Sequence, residues 1–211
     1  METAVVRNAF NAVADRRGED RELFVWGVLD FLKSEKVIHE YIPSSHLDSQ
    51  DRDGIDITVV AIGPSKREVY PIQVTGPLWV EEHYMRNPET PVIVVDLWLG
   101  KKTMWRFAFA QLIGVMALAT LKEHGLVCDY RVSPKFWWVG TGIAVTFTIT
   151  LPGPKVLMRQ IHLVHRAEGV EMFSGEDRPR GILYVPYHRD LGQGTIQVMA
   201  STISGELNLE A

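Results

Sequence analysis

The alternation of apolar and polar residues divides the chain into helices first and strands later. Val5, Ala9, Phe10, Val13 and Ala14 recur at helical spacing over about residues 2–15, and Gly18 is read as the break that ends this helix. A second helix is expected over about 19–34. Leu23, Phe24, Trp26, Val28, Leu29, Phe31 and Leu32 supply its apolar side, and acidic residues crowd its first turn, where the helix dipole favours them. Short extended runs follow: 37–42 closed by Pro43, then 55–62, then 69–75. The last two are joined across Gly63-Pro64-Ser65 as a hairpin, with Pro71 pointing to an edge or a bulge. A short helix is expected at about 77–87, and PVIVVDL at 91–97 reads as a strand buried on both faces.

The longest apolar segment is a helix over about 103–124. From Phe107 to Leu121 it is apolar almost all round, interrupted by Gln111 and Thr120. It falls short of the ~20 residues a membrane span needs, and Lys101, Lys102, Arg106 and Lys122 flank it. It is therefore read as a core helix or a homo-oligomer interface, with no membrane expected. After Gly125 the texture turns to β, with strands expected over 136–151, 156–165, 182–187 and 195–200. The division that follows is 1–128, an α/β core with its N-terminal helix, and 129–211, a β-rich extension able to pack on that core as one domain.

Composition narrows the classes. In 211 residues, 46% hydrophobic and 23% charged, the balance is that of a folded globular chain, not a disordered or collagen-like one. A net charge of -4 excludes a globally basic nucleic-acid coat while leaving room for a local basic groove. The single Cys128 excludes an intramolecular disulfide and a multi-cysteine zinc site, and fits a reducing compartment. The first residues lack the basic start, apolar run and small-residue cleavage site of a secretory leader, so a cytoplasmic protein is expected.

Two polar residues inside the hairpin carry the candidate chemistry. Asp56 sits in Gly54-Ile55-Asp56-Ile57 and Gln73 in Ile72-Gln73-Val74-Thr75. A carboxylate within a β-branched strand is costly to bury unless something pairs with it. One such partner is Mg²⁺, which takes one or two carboxylates together with carbonyls, waters and phosphate oxygens.

On these residues the segment 19–97 resembles the PD-(D/E)xK nuclease superfamily, the restriction-endonuclease-like fold. That family has a helix carrying a glutamate, then a strand, then an antiparallel pair bearing an aspartate and (D/E)xK, then a helix and a final strand. The matching residues are Glu22 (or Glu19), Asp56, and Gln73-Val74-Thr75 at the (D/E)xK position. The Asp56–Gln73 spacing and the turn at Gly54 also match.

The resemblance implies a mixed central sheet flanked by helices, an α/β (α+β) fold. It further implies Mg²⁺ or Mn²⁺ held by Asp56, Gln73 and the Val74 carbonyl with help from Glu22, and DNA or RNA as substrate. The chain departs from the pattern twice. Gln73 replaces an acid, keeping an amide oxygen able to ligate a metal but losing a charge. Thr75 replaces the lysine, and a hydroxyl supplies no positive charge. Lys66 and Lys102 are the nearest lysines that could have migrated. Two functions are accordingly expected as alternatives: a metal-dependent phosphodiesterase, or an inactive nuclease fold kept for binding or oligomeric assembly.

Other features carry less. DSQDRDGID (48–56) lacks the terminal glutamate of a calcium loop and contains Arg52. His162 and His165 fall on opposite faces of a strand, which argues against shared zinc ligation. No phosphate-binding glycine loop is present, and Cys128 lacks His/Asn companions. Trp137-Trp138, Trp98 and Trp105 are read as core, with base stacking as the alternative. Arg159, Arg166, Arg178, Arg180 and Arg189 are offset by Glu168, Glu171, Glu176, Asp177 and Asp190.

Overall fold

A computed structural model describes residues 2–44, 54–63, 66–165 and 181–209, with backbone alone for 2–16. Helix α1 runs from Glu2 to Ser34 without interruption. The helix expected to stop at Gly18 does not stop there. An interior glycine costs a helix about 1 kcal/mol, which long flanking turns absorb. Strands β1 (Glu40–Pro43), β2 (Ile57–Ile62) and β3 (Arg67–Thr75) form an antiparallel meander. A short helix, α2 (Val80–Arg86), then returns the chain so that β4 (Val92–Val94) lies parallel to β3.

Helix α3 (Lys101–Glu123) leads to a second sheet. Strands β5 (Asp129–Val139), β6 (Gly142–Leu151) and β7 (Leu157–His165) are again an antiparallel meander, and β8 (Ile182–Tyr184) pairs parallel with β7. The described residues therefore give a mixed α+β fold with four α-helices and two mixed four-stranded sheets, ordered β1-β2-β3-β4 and β5-β6-β7-β8.

The last helix, α4 (Thr195–Leu207), corrects the expected strand at 195–200. β-Branched residues suggested a strand, but the buried set Ile196, Met199, Ala200 and Ile203 has helical spacing. The short first strand also shifts, to Glu40–Pro43, because Val37 and Ile38 are buried in the turn leaving α1.

Helices fill the space between the sheets. On the first sheet, Ile57, Val59, Tyr70 and Ile72 join Val25, Val28, Leu29 and Leu32 of α1 and the apolar residues of α3 in one core. That same core continues through Val145, Phe147, Ile161 and Leu163 of the second sheet. Helix α3 is thus walled on two sides. The Gln111 side chain is fully buried and closes the free edge of β4, accepting from Val94 N at 2.7 Å and donating to Val94 O at 2.9 Å. On the other side, a Cβ added at Gly114 would stand 2.5 Å from Phe147 and 2.6 Å from Leu163.

This explains a helix apolar all round. Although Lys101–Glu123 is long and apolar enough to cross a membrane, residues 107–118 are buried inside the chain itself. Of the two readings of this helix, core or interface, the burial of residues 107–118 within the chain supports the core one. Thr120, the other polar interruption, donates to Met116 O and meets the Tyr70 hydroxyl at 3.0 Å. That hydroxyl in turn donates to the buried Glu68 carboxylate, which also accepts from Gln197 of α4 at 3.1 Å.

Candidate functional site

Side-chain alternation decides which residues reach solvent. Tyr70, Ile72 and Val74 face the helix layer, and the intervening Pro71, Gln73 and Thr75 take the outer face, half-buried. Asp56, one residue before β2, lies across from Gln73, because Ile57 pairs with Ile72 and Asp56 N donates to Ile72 O at 3.0 Å. The two side chains meet on the outer face at the point where β2 begins and β3 is about to end.

Their contact is direct. Gln73 Nε2 donates to Asp56 Oδ2 at 2.6 Å, and Val74 N donates to the same oxygen at 2.7 Å. Gln73 Nε2 also reaches Val74 O at 3.3 Å. Asp56 therefore continues the ladder beyond the end of β2, accepting an N–H that has lost its strand partner. Gly54 opens this corner. Its φ of 69° is a left-handed turn, and a Cβ there would collide with the Asn87 side chain and stand 3.3 Å from Gln73 Oε1.

These positions answer the expectations one by one. Asp56, Gln73 and the Val74 carbonyl are brought together, but through an NH₂ group. Turned end for end, the carboxamide would set its oxygen against the Asp56 carboxylate, an arrangement two acceptors tolerate only with a cation or a proton between them. As arranged, Gln73 turns its NH₂ group, not its amide oxygen, toward Asp56 Oδ2 and the Val74 carbonyl. Among the described residues, no three His, Cys, Asp or Glu side chains converge as a metal site.

Thr75 is half-buried, and its carbonyl accepts from Val95 N at 2.8 Å. Glu22 is half-buried on α1, in the layer behind the sheet, and Glu19 is exposed. Lys66 does not restore the missing charge on the outer face. Lys66 precedes β3 at the opposite end of that strand, seven residues from Gln73 and so roughly 23 Å away along an extended chain. There it pairs with Glu123. Lys102 is exposed in the first turn of α3, on the helix layer behind the sheet.

The sequence reading passed over Arg21. Its Nε donates to Val95 O at 3.1 Å, just beyond β4. A Cβ added at Gly76, just beyond β3, would stand 2.8 Å from one of the Arg21 terminal nitrogens. Burial holds its pKa below the ordinary arginine value. Arg17 adds to that by repulsion, and Asp96 and Asp20 pull the other way. The signal was available as a cation placed next to Glu22, but it stood in an acidic turn already explained by the helix dipole.

The remaining candidates separate. His162 meets Thr146 Oγ1 at 2.9 Å on the outer face of the second sheet, whereas His165 packs edge-on to Trp105 and Phe109. Trp105 belongs to the core margin. Trp137 and Trp138 are partly exposed rather than core, with Trp137 Nε1 donating to Thr146 Oγ1 at 3.1 Å. Cys128 is free and exposed. Asp48, Asp51, Arg52 and Asp53 of the calcium-loop reading lie outside the described residues, as do Arg166, Glu168, Glu171, Glu176, Asp177, Arg178 and Arg180. Comparison with protein-family models, curated proteins and solved structures finds no match to this chain.

Proposed function

We propose that this chain is a restriction-endonuclease-like domain that binds nucleic acid without cutting it. The fold part rests on element order: a helix, an antiparallel three-strand meander, a helix, and a fourth strand parallel to the third. Gln73 lies on β3 and Asp56 one residue before β2, at the end of the middle pair and next to the position that the resemblance to the PD-(D/E)xK superfamily calls for. The functional part rests on one observation. The Gln73 NH₂ group lies between Asp56 Oδ2 and the Val74 carbonyl, so a neutral donor holds the cation seat. Thr75 adds no charge at the lysine position. A seat closed in this way stabilises the strand end and leaves nothing to activate water.

The second reading, a Mg²⁺- or Mn²⁺-dependent phosphodiesterase, is favoured by the same convergence, since a turned carboxamide would aim three oxygens at one point. One set of measurements separates the two. Wild type should take up no Mn²⁺ in a calorimetric titration. It should leave single- and double-stranded oligonucleotides intact in Mg²⁺, and bind them equally well in Mg²⁺ and in EDTA. Gln73→Glu, which restores the second acid, should gain Mn²⁺ binding. Magnesium-dependent cleavage by wild type that disappears in Asp56→Ala would overturn the binding reading in favour of the enzyme.

A further inference from the structure

The loops that leave β3 and β4 carry side chains that the closed seat does not use. Trp98 follows β4 and is 84% exposed, and Trp79, in the turn after β3, is 52% exposed. Rings so open are unusual on a chain with a large core to fill. The Trp98 loop is set by Asp96, whose Oδ1 accepts from Trp98 N at 3.1 Å, and by Leu99 N donating to Asp96 O at 3.0 Å. Arg17 of α1 lies over the Trp98 ring, 5.6 Å from its centroid. One turn further along the same helix, Arg21 is pinned by its Nε to Val95 O, which fixes the plane of the guanidinium at the end of the sheet. Among the described residues, no carboxylate comes within 4.0 Å of either arginine's guanidinium. Asp96 and Asp20 are near enough to pull on Arg21 without pairing with it.

Resting on the nucleic-acid reading above, we infer that Arg17, Arg21 and Trp98 form a docking edge for a single-stranded nucleic acid, with Trp98 stacking an unpaired base and Arg21 holding the adjacent phosphate. Four features carry this. Base–aromatic stacking is sequence-tolerant and needs an accessible ring. An arginine laid on one face of an indole leaves the other face for a base and strengthens the stack by its charge. A guanidinium held through Nε keeps a fixed plane, and Arg21, half-buried with one terminal nitrogen against Gly76, would meet a phosphate oxygen through a single charged N–H rather than the full fork. Finally, duplex DNA hides its base faces, so this edge selects a strand with at least one unstacked base.

The test is fluorescence anisotropy of labelled single-stranded DNA and RNA oligonucleotides and of a blunt duplex, with the full chain in EDTA so that no cleavage intervenes. Trp98→Ala should weaken single-strand binding by about tenfold and leave duplex binding unchanged. Because Trp98 is exposed, that variant keeps its fold, which circular dichroism checks. Arg21→Gln should lower affinity for all strands and reduce the slope of log affinity against log salt by about one. Arg17→Ala should fall between the two.

If wild type binds single strands and both Trp98→Ala and Arg21→Gln bind as well as it does, the docking edge is overturned while the nucleic-acid reading stands. If wild type binds neither strand nor duplex, both fall together. A concentration-dependent gain in mass that Trp98→Ala abolishes would assign the ring to a second copy of the chain and overturn the proposal as well.

Discussion

The two sheets follow one plan and place a polar pair at the same point of it. In each, a three-strand antiparallel meander receives a fourth strand in parallel. Gln73 pairs with the first residue of β4, and His162 with the first residue of β8. Both side chains point away from the helix layer, and both bond across to the preceding strand, Gln73 to Asp56 at 2.6 Å and His162 to Thr146 at 2.9 Å. What differs is the strand beneath. β2 starts after Asp56, so Val74 N has no strand partner there and takes the carboxylate instead. β6 runs on past Thr146 to Gly142, and its ladder with β7 continues to the Ile143–His165 pair. The lesson is that a polar pair becomes a candidate site where a strand stops and leaves backbone groups for side chains to serve. Within a continuous ladder the same pair is only a cross-strand contact.

The largest expected effect severs the second sheet from the helix it rests on. Gly114→Val forces methyl groups into space held by Phe147 and Leu163, with no room at the first carbon. Overpacking of this kind costs about 3 kcal/mol, and the denaturation midpoint should fall accordingly. If Gly114→Val denatures at the wild-type midpoint, the second sheet is not seated on α3 and the comparison fails.

Next in size is Gln111→Leu, which acts on the first sheet. It keeps the volume but leaves Val94 N and Val94 O buried without their partners, at about 1 kcal/mol for each group so stranded and so about 2 kcal/mol in all. Hydrogen exchange at β4 should quicken more than at β7. Equal protection in wild type and variant would show that the β4 edge is closed by something other than this carboxamide.

Much of this architecture could be read ahead of the coordinates. The hairpin of β2 and β3, the returning β4 and the apolar α3 announced themselves through alternation, turn residues and a long apolar run. Gln111 and Thr120 stood out as breaks in that run, but their work needs partners 17 and 50 residues away, Val94 and Tyr70, which periodicity along a helix cannot supply. The strand expected over 195–200 is instead the start of α4, because Thr195, Ile196 and Val198 have strand propensity that packing of one helical face against α3 overrides. At the candidate site the meeting of Asp56 with Gln73 followed from the hairpin register. Which end of the carboxamide faces Asp56 did not, since either end of Gln73 fits the same sequence. Arg21 was hidden because its acceptor, Val95 O, is 74 residues away.

A third test sets the two polar pairs against each other. Asp56→Ala leaves Val74 N at a half-buried strand end with no acceptor, a loss of about 1–2 kcal/mol. Asp56→Asn retains an oxygen for that N–H and should recover most of it. Thr146→Val removes a hydroxyl whose neighbours stay in a continuous ladder, and should cost less than Asp56→Ala. Equal losses at the two positions would erase the distinction between a strand that ends and one that continues.

The smallest effect is one of pH, and it belongs to the second pair. Burial holds the His162 pKa below its ordinary value, so the folded chain keeps this imidazole neutral where the unfolded chain begins to take up a proton. Above the unfolded value of about 6.5, both states carry neutral histidine and the group adds no slope. As pH falls through that value, the unfolded state binds the proton first and stability declines, until the folded imidazole also titrates and the decline stops. His83 is buried against Thr90 O and shifts in the same direction for the same first cause, so it contributes a share of its own from α2. His162→Gln should therefore flatten part of the acid-side slope in urea titrations run between pH 7.5 and 5, and His83→Gln a further part. A His162→Gln slope indistinguishable from wild type would mean that the outer face of the second sheet is more hydrated than its contacts with Thr146 and Trp137 imply.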